Sequence, residues 1–189
     1  MWLVALASLA VTSGACRCRA RTPDEAFLRL QNAVSKGDPG ALFDALDQSS
    51  RWAWMTVQKS HREAYDIILS NYPDGPERER ERRRFERGAT LGSARQLFID
   101  VVGREDIETL PHPLPAAVRF DVAADDPRSA IATLASGARL PFRMGQDGGW
   151  GYAGFAADAD ARQVRALHDV DLVRLSAADY ERAAARVAR

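Results

Sequence analysis

Five side chains stand out as candidates for acid–base work: His61, Glu63, Asp66, His112 and Asp121. A general acid or base is most often a histidine or a carboxylate whose pKa can be tuned toward the working pH, and His61 is the one base among them worth naming. His61-Arg62-Glu63-Ala64-Tyr65 is not a zinc-protease helix, because Tyr65 stands where the second histidine ligand would have to be. His61 and Tyr65 do share a helix face at i,i+4, which makes a polar pair if that face lines a pocket. The plainer account is a partly buried histidine hydrogen-bonding within a layer of helices. His112 lies between two prolines and His168 near the end of a helix, so both are expected at the surface. Three dispersed histidines do not argue for zinc. Cys16 and Cys18, the two cysteines, are too close in sequence for an easy disulfide and have no histidine beside them. No nucleophile elbow, Walker or dinucleotide-binding glycine pattern occurs, and Gly148-Gly149 is turn chemistry. No cofactor is implied.

The densest aromatic patch is Trp52-Ala53-Trp54-Met55 with Tyr72. A spacing of two does not suit one helix face, so one tryptophan is expected in the core and the other toward a pocket or partner. Trp54 and Tyr65 are the candidate ligand contacts. Residues 77–87 hold six Arg, four Glu and Phe85, alternating in sign, and Glu79 with Arg83 sits at i,i+4. That run reads as a solvated helix. Over the whole chain 26 basic residues balance 26 acidic ones, which excludes the basic footprint of a nucleic-acid binder. Only Lys36 and Lys59 of the basic residues are lysine.

Positioning these groups takes an ordinary globular domain. The chain has 189 residues, 46% of them hydrophobic and 28% charged, a composition that excludes disorder, a disulfide-rich miniprotein and a multi-span membrane protein. Residues 1–15 carry no charged side chain and as a helix would span roughly 22 Å, short of the roughly 30 Å hydrocarbon core. An apolar stretch ending in small residues is expected to be a signal peptide. Ser13-Gly14-Ala15-Cys16 closes it. This resembles the lipobox of bacterial lipoproteins, with Ser13 where that family has an aliphatic residue, and it implies a lipid on Cys16. Residues 16–21 then read as a short tether and 22–189 as one domain.

Thr22-Pro23-Asp24-Glu25 opens a first helix with an N-cap, a proline at N1 and a glutamate at N3, and Gly37 ends it. A second short helix begins at Asp38-Pro39, and a third, capped by Ser49 or Ser50, runs to about Ser70. After the charged run, residues 93–102 are helical again. From residue 117 the pattern alternates in four strands, with a hairpin turn at Gln146-Asp147-Gly148-Gly149 and Pro141 suited to an edge or bulge. Residues 158–166 and 176–187 read as two closing helices, Ser176 and Asp179 offering a weak cap. Helices first and a consecutive antiparallel meander after them make an α+β fold, a curved sheet with helices on one face.

The opening Thr22-Pro23-Asp24-Glu25-Ala26 with Lys36-Gly37-Asp38, and the late hairpin Arg143-Met144-Gly145-Gln146-Asp147-Gly148-Gly149-Trp150, resemble nuclear-transport-factor-2-like domains. The resemblance covers about residues 22–50 and 117–155 and implies a cone, cystatin-like in outline, in which a curved sheet wraps helices around a pocket. The helical stretch 51–110 is extra to that pattern. Members include ketosteroid isomerases and polyketide cyclases beside secreted lipoproteins. The expectation is therefore a non-catalytic envelope protein, exported and lipid-anchored or soluble, that binds an apolar small ligand or a protein partner and no nucleic acid. The alternative is a small-pocket isomerase or hydrolase with His61 as its base.

Overall fold

The computed structural model describes residues 19–102, 110 and 113–187. Residues 1–15, Cys16, Cys18 and His112 lie outside them. Helix α1 (Pro23–Ser35) begins where Thr22 Oγ1 accepts the Glu25 N–H at 3.3 Å, and the Glu25 carboxylate reaches back to the Arg21 N–H. It ends at Gly37, whose φ of 57° lets the Gly37 and Asp38 N–H groups close on the carbonyls of Val34 and Ala33. Asp38 then caps α2 (Pro39–Ala45) by accepting from Ala41 N.

Helix α3 (Gln48–Asn71) is capped by Asp47 rather than by Ser49 or Ser50. The Asp47 carboxylate, 1% exposed, accepts from Ser50 N at 3.1 Å and Ser49 Oγ at 2.5 Å, and Arg143 stands 3.7 Å away. A serine could offer one acceptor here; the carboxylate serves the helix end and the arginine together. The charged run forms α4 (Pro76–Thr90) with the expected Glu79–Arg83 pair at 2.7 Å, and α5 (Ala94–Val102) starts from a Ser93 cap.

Strands β1 (Ala117–Val122), β2 (Ser129–Leu134), β3 (Arg139–Met144) and β4 (Trp150–Tyr152) form one antiparallel meander in the order β1-β2-β3-β4. Strict alternation in β2 buries Ala130, Ala132 and Leu134, while β3 buries Leu140 and Phe142 on the same face. Pro141 does not sit on an edge strand: β3 lies between β2 and β4. Its carbonyl accepts from Ala153 N, just beyond the last residue of β4, so its missing N–H faces the β4 side where the ladder has ended.

The two expected closing helices are one helix, α6 (Ala156–Val187), 32 residues long. Nothing between its ends breaks it, and Ala159, Ala166, Val170, Val173 and Ala177 continue one buried stripe. Ser176 is therefore not a cap; its hydroxyl meets that of Tyr72. The described residues make a mixed α+β structure of six helices and a four-stranded sheet.

Two apolar cores result. The larger lies between the sheet and α1, α2, α5 and the first half of α3, and includes Phe27, Leu30, Trp54, Phe98 and Phe142. The smaller joins the second half of α3 to α4 and α6 through Ile68, Tyr72, Phe85 and Val173. This second core is what the extra helical stretch builds.

Candidate functional site

His61 belongs to the helical layer, where α4 covers α3. Its ring meets the edge of Phe85 at 5.8 Å between centroids, and a Cβ at Gly88 would collide with the imidazole, which is why a glycine stands inside α4 at this crossing. Among the described residues, buried Nδ1 has no hydrogen-bond partner. Burial lowers the His61 pKa below its usual value, Arg84 adds to that, and Asp169 on α6 opposes it. Tyr65 is half-buried on the same face of α3 and takes a hydrogen bond from Arg82 of α4. The pair thus shares a face, as its spacing implies, and that face is packed against a helix.

The other acid–base candidates do not converge on His61. Glu63 pairs with Arg174 of α6, Asp66 is exposed, and Asp121 pairs with Arg119 of its own strand at 2.8 Å. His168 is exposed on α6. Among the described residues no group of three His, Cys, Asp or Glu side chains is placed to hold a metal ion. No helix among them is long and apolar enough to cross a membrane.

The two tryptophans of α3 separate as their spacing requires. Trp54 is 3% exposed, edge-on to Phe98 at 5.3 Å with the Arg162 guanidinium over its ring at 5.5 Å. Trp52 is 47% exposed and Met55 55%. Trp52 borders two surface clefts, of about 830 and 230 Å³. A third cleft of about 460 Å³ runs between α1 and α2. None of the three takes in His61 or Tyr65.

The 460 and 830 Å³ clefts meet at Arg19, Asp44 and Arg51, and their walls bring in both lysines of the chain, Lys36 and Lys59. The acidic residues there are engaged. Asp38 caps α2, Asp44 pairs with Arg95 at 3.5 Å, and Asp147 pairs with Arg19 at 3.2 Å. Arg51, Lys36 and Lys59 form no ion pair among the described residues. The arrangement can attract and hold an anion. Sequence reasoning passed over these cations because they come from separated segments, and the scarcity of lysine was the one signal available.

The chain also joins the fold earlier than Thr22. Ala20 is 2% exposed, and its carbonyl accepts the Trp150 N–H at 2.9 Å, adding a partner beside β4.

No protein-family model matches this chain, and neither a curated protein nor a solved structure gives a significant match.

Proposed function

We propose that this protein is exported, held at a membrane by a lipid on Cys16, and works in the cell envelope as a non-catalytic binding or scaffolding module. The observation that carries the non-catalytic part is the filling of the space under the sheet. Phe27, Leu30, Leu134 and Phe142 occupy it, each at most 3% exposed, so among the described residues that space is packed with apolar side chains. A nuclear-transport-factor-2-like cone is supported by the order of elements, two capped helices before a meander, and by α1 lying against all four strands. On this reading the cone is closed by its own side chains, and ligands or partners meet the outer clefts.

The lipid rests on the uncharged residues 1–15 followed by Ser13-Gly14-Ala15-Cys16. Intact-mass analysis of the protein purified from its own host tests it. A chain beginning at Cys16 and carrying a diacylglyceryl mass is expected; a chain that retains Met1 overturns both export and anchoring. The rival isomerase or hydrolase draws support from the unpartnered Nδ1 of His61. It requires α4 to move away from α3 before any substrate could reach that atom.

A further inference from the structure

The place where the chain enters the fold decides which face a membrane anchor would present to the lipid. Arg19 is the first described residue, and the fold already holds it: its guanidinium pairs with Asp147, and the next carbonyl, of Ala20, is bonded to β4. Only three peptide steps separate Arg19 from Cys16, a reach of at most about 10 Å fully extended. A lipid on Cys16 therefore cannot act as a long leash. Whatever surrounds Arg19 must lie close to the headgroups.

What surrounds it suits that position. Trp52 and Met55 project from the first turns of α3 beside Arg19, 47% and 55% exposed. Arg51 and Lys59 flank them on the same helix, and Lys36 stands across the adjoining cleft. The carboxylates of these clefts are already bound to a helix end or to Arg95 and Arg19, so the cationic surplus is not cancelled locally. Tryptophan is favoured at the water–hydrocarbon boundary, and lysine reaches from beside it to phosphate with its stem on apolar surface. Unpaired cations around an exposed aromatic are the pattern of an interfacial contact with anionic lipid.

We infer that the α3 face carrying Trp52 and Met55, with Arg51, Lys59 and Lys36 around it, rests on the anionic headgroup surface of the membrane. The inference rests on the lipid-anchor reading for its orientation and adds a second, electrostatic attachment. It also sets the far end of α6, whose Tyr180 packs on Tyr72 at the opposite end of α3, away from the bilayer.

The test uses the processed protein purified from its host membranes and reconstituted into vesicles of phosphatidylcholine with phosphatidylglycerol, brominated near the headgroup end of the acyl chains. Tryptophan emission is expected to be quenched, and Trp52→Phe, at an exposed position, is expected to remove most of that quenching. A protein whose mass shows the lipid but whose quenching is absent, or unchanged in Trp52→Phe, overturns the face and leaves the anchor standing. A mass without lipid ends the anchor reading instead. The face is then judged by sedimentation with the same vesicles. Salt-sensitive binding that weakens about fivefold for each cation removed, in Arg51→Gln and Lys59→Gln, upholds it. No binding overturns it.

Discussion

His61 is an imidazole buried where its charged form is costly. Its ring is enclosed by Phe85 and Gly88, Nδ1 has no partner among the described residues, and burial outweighs the attraction of Asp169 in setting its pKa below 6.5. The folded chain therefore binds fewer protons than the unfolded chain between that lowered value and 6.5. Stability contributed by neutral His61 is fully present above pH 6.5, falls as the pH drops below it, and levels off once the folded-state pKa is passed. Urea unfolding across this range should show the decline in the wild type and a flatter profile in His61→Phe. A decline of equal size in that variant would remove His61 as its source. Gly88→Ala makes the same contact visible by steric means: a methyl driven into the ring should cost about 1–3 kcal/mol in urea unfolding at any pH.

Elements are held by devices of differing reach, and the differing reach explains what sequence could reveal. The cap of α1 is local, three residues wide, and Thr22-Pro23-Asp24-Glu25 announces it in full. The β3–β4 turn is equally local, with Gly148 at φ 75° inside the expected hairpin. The start of α3 is not local. Asp47 wins over Ser49 and Ser50 because Leu46 lies alongside Tyr152 and Arg143 approaches from β3, contacts that join residues about a hundred positions apart. Pro141 was legible as a ladder defect, but its tolerance inside the sheet depends on where β4 stops. The continuity of α6 depends likewise on α3 and α4 offering it a second core. Among the candidate site residues, the sharing of one face by His61 and Tyr65 was written in their spacing, whereas the helix that covers it was not. If Asp47 is the tertiary cap described, Asp47→Ala should lose about 2 kcal/mol, while Asp47→Asn, which keeps an acceptor for the Ser50 N–H, should lose less. Thermal unfolding distinguishes them, and equal losses would assign the effect to the Arg143 pair instead.

At the scale of the molecule, α3 and α6 are, among the described residues, the helices with buried residues in both cores. Trp54 and Val57 of α3 belong to the larger core and Ala64 and Ile68 to the smaller; Ala159 and Ala166 of α6 belong to the larger, Val170 and Val173 to the smaller. Neither helix contains a glycine or a proline, the residues at which a helix most readily parts into halves. A loss of packing in the smaller core must then be felt in the larger through two unbroken rods. Ile68 is fully buried, and its truncation to alanine should destabilise the protein by about 2–5 kcal/mol. The informative quantity is how that loss is shared. Tryptophan fluorescence reports the larger core, where Trp54 lies, and the part of the near-ultraviolet signal lost in Tyr180→Phe, which stands 4.9 Å from Tyr72, reports the smaller. With the cores coupled, Ile68→Ala should move both denaturation midpoints together by the same amount. A tyrosine transition that moves to lower urea while the tryptophan transition stays would mean that the helical layer melts on its own. In that case α4 could part from α3 without unfolding the sheet, and the imidazole of His61 would gain the access to solvent that an acid–base role demands.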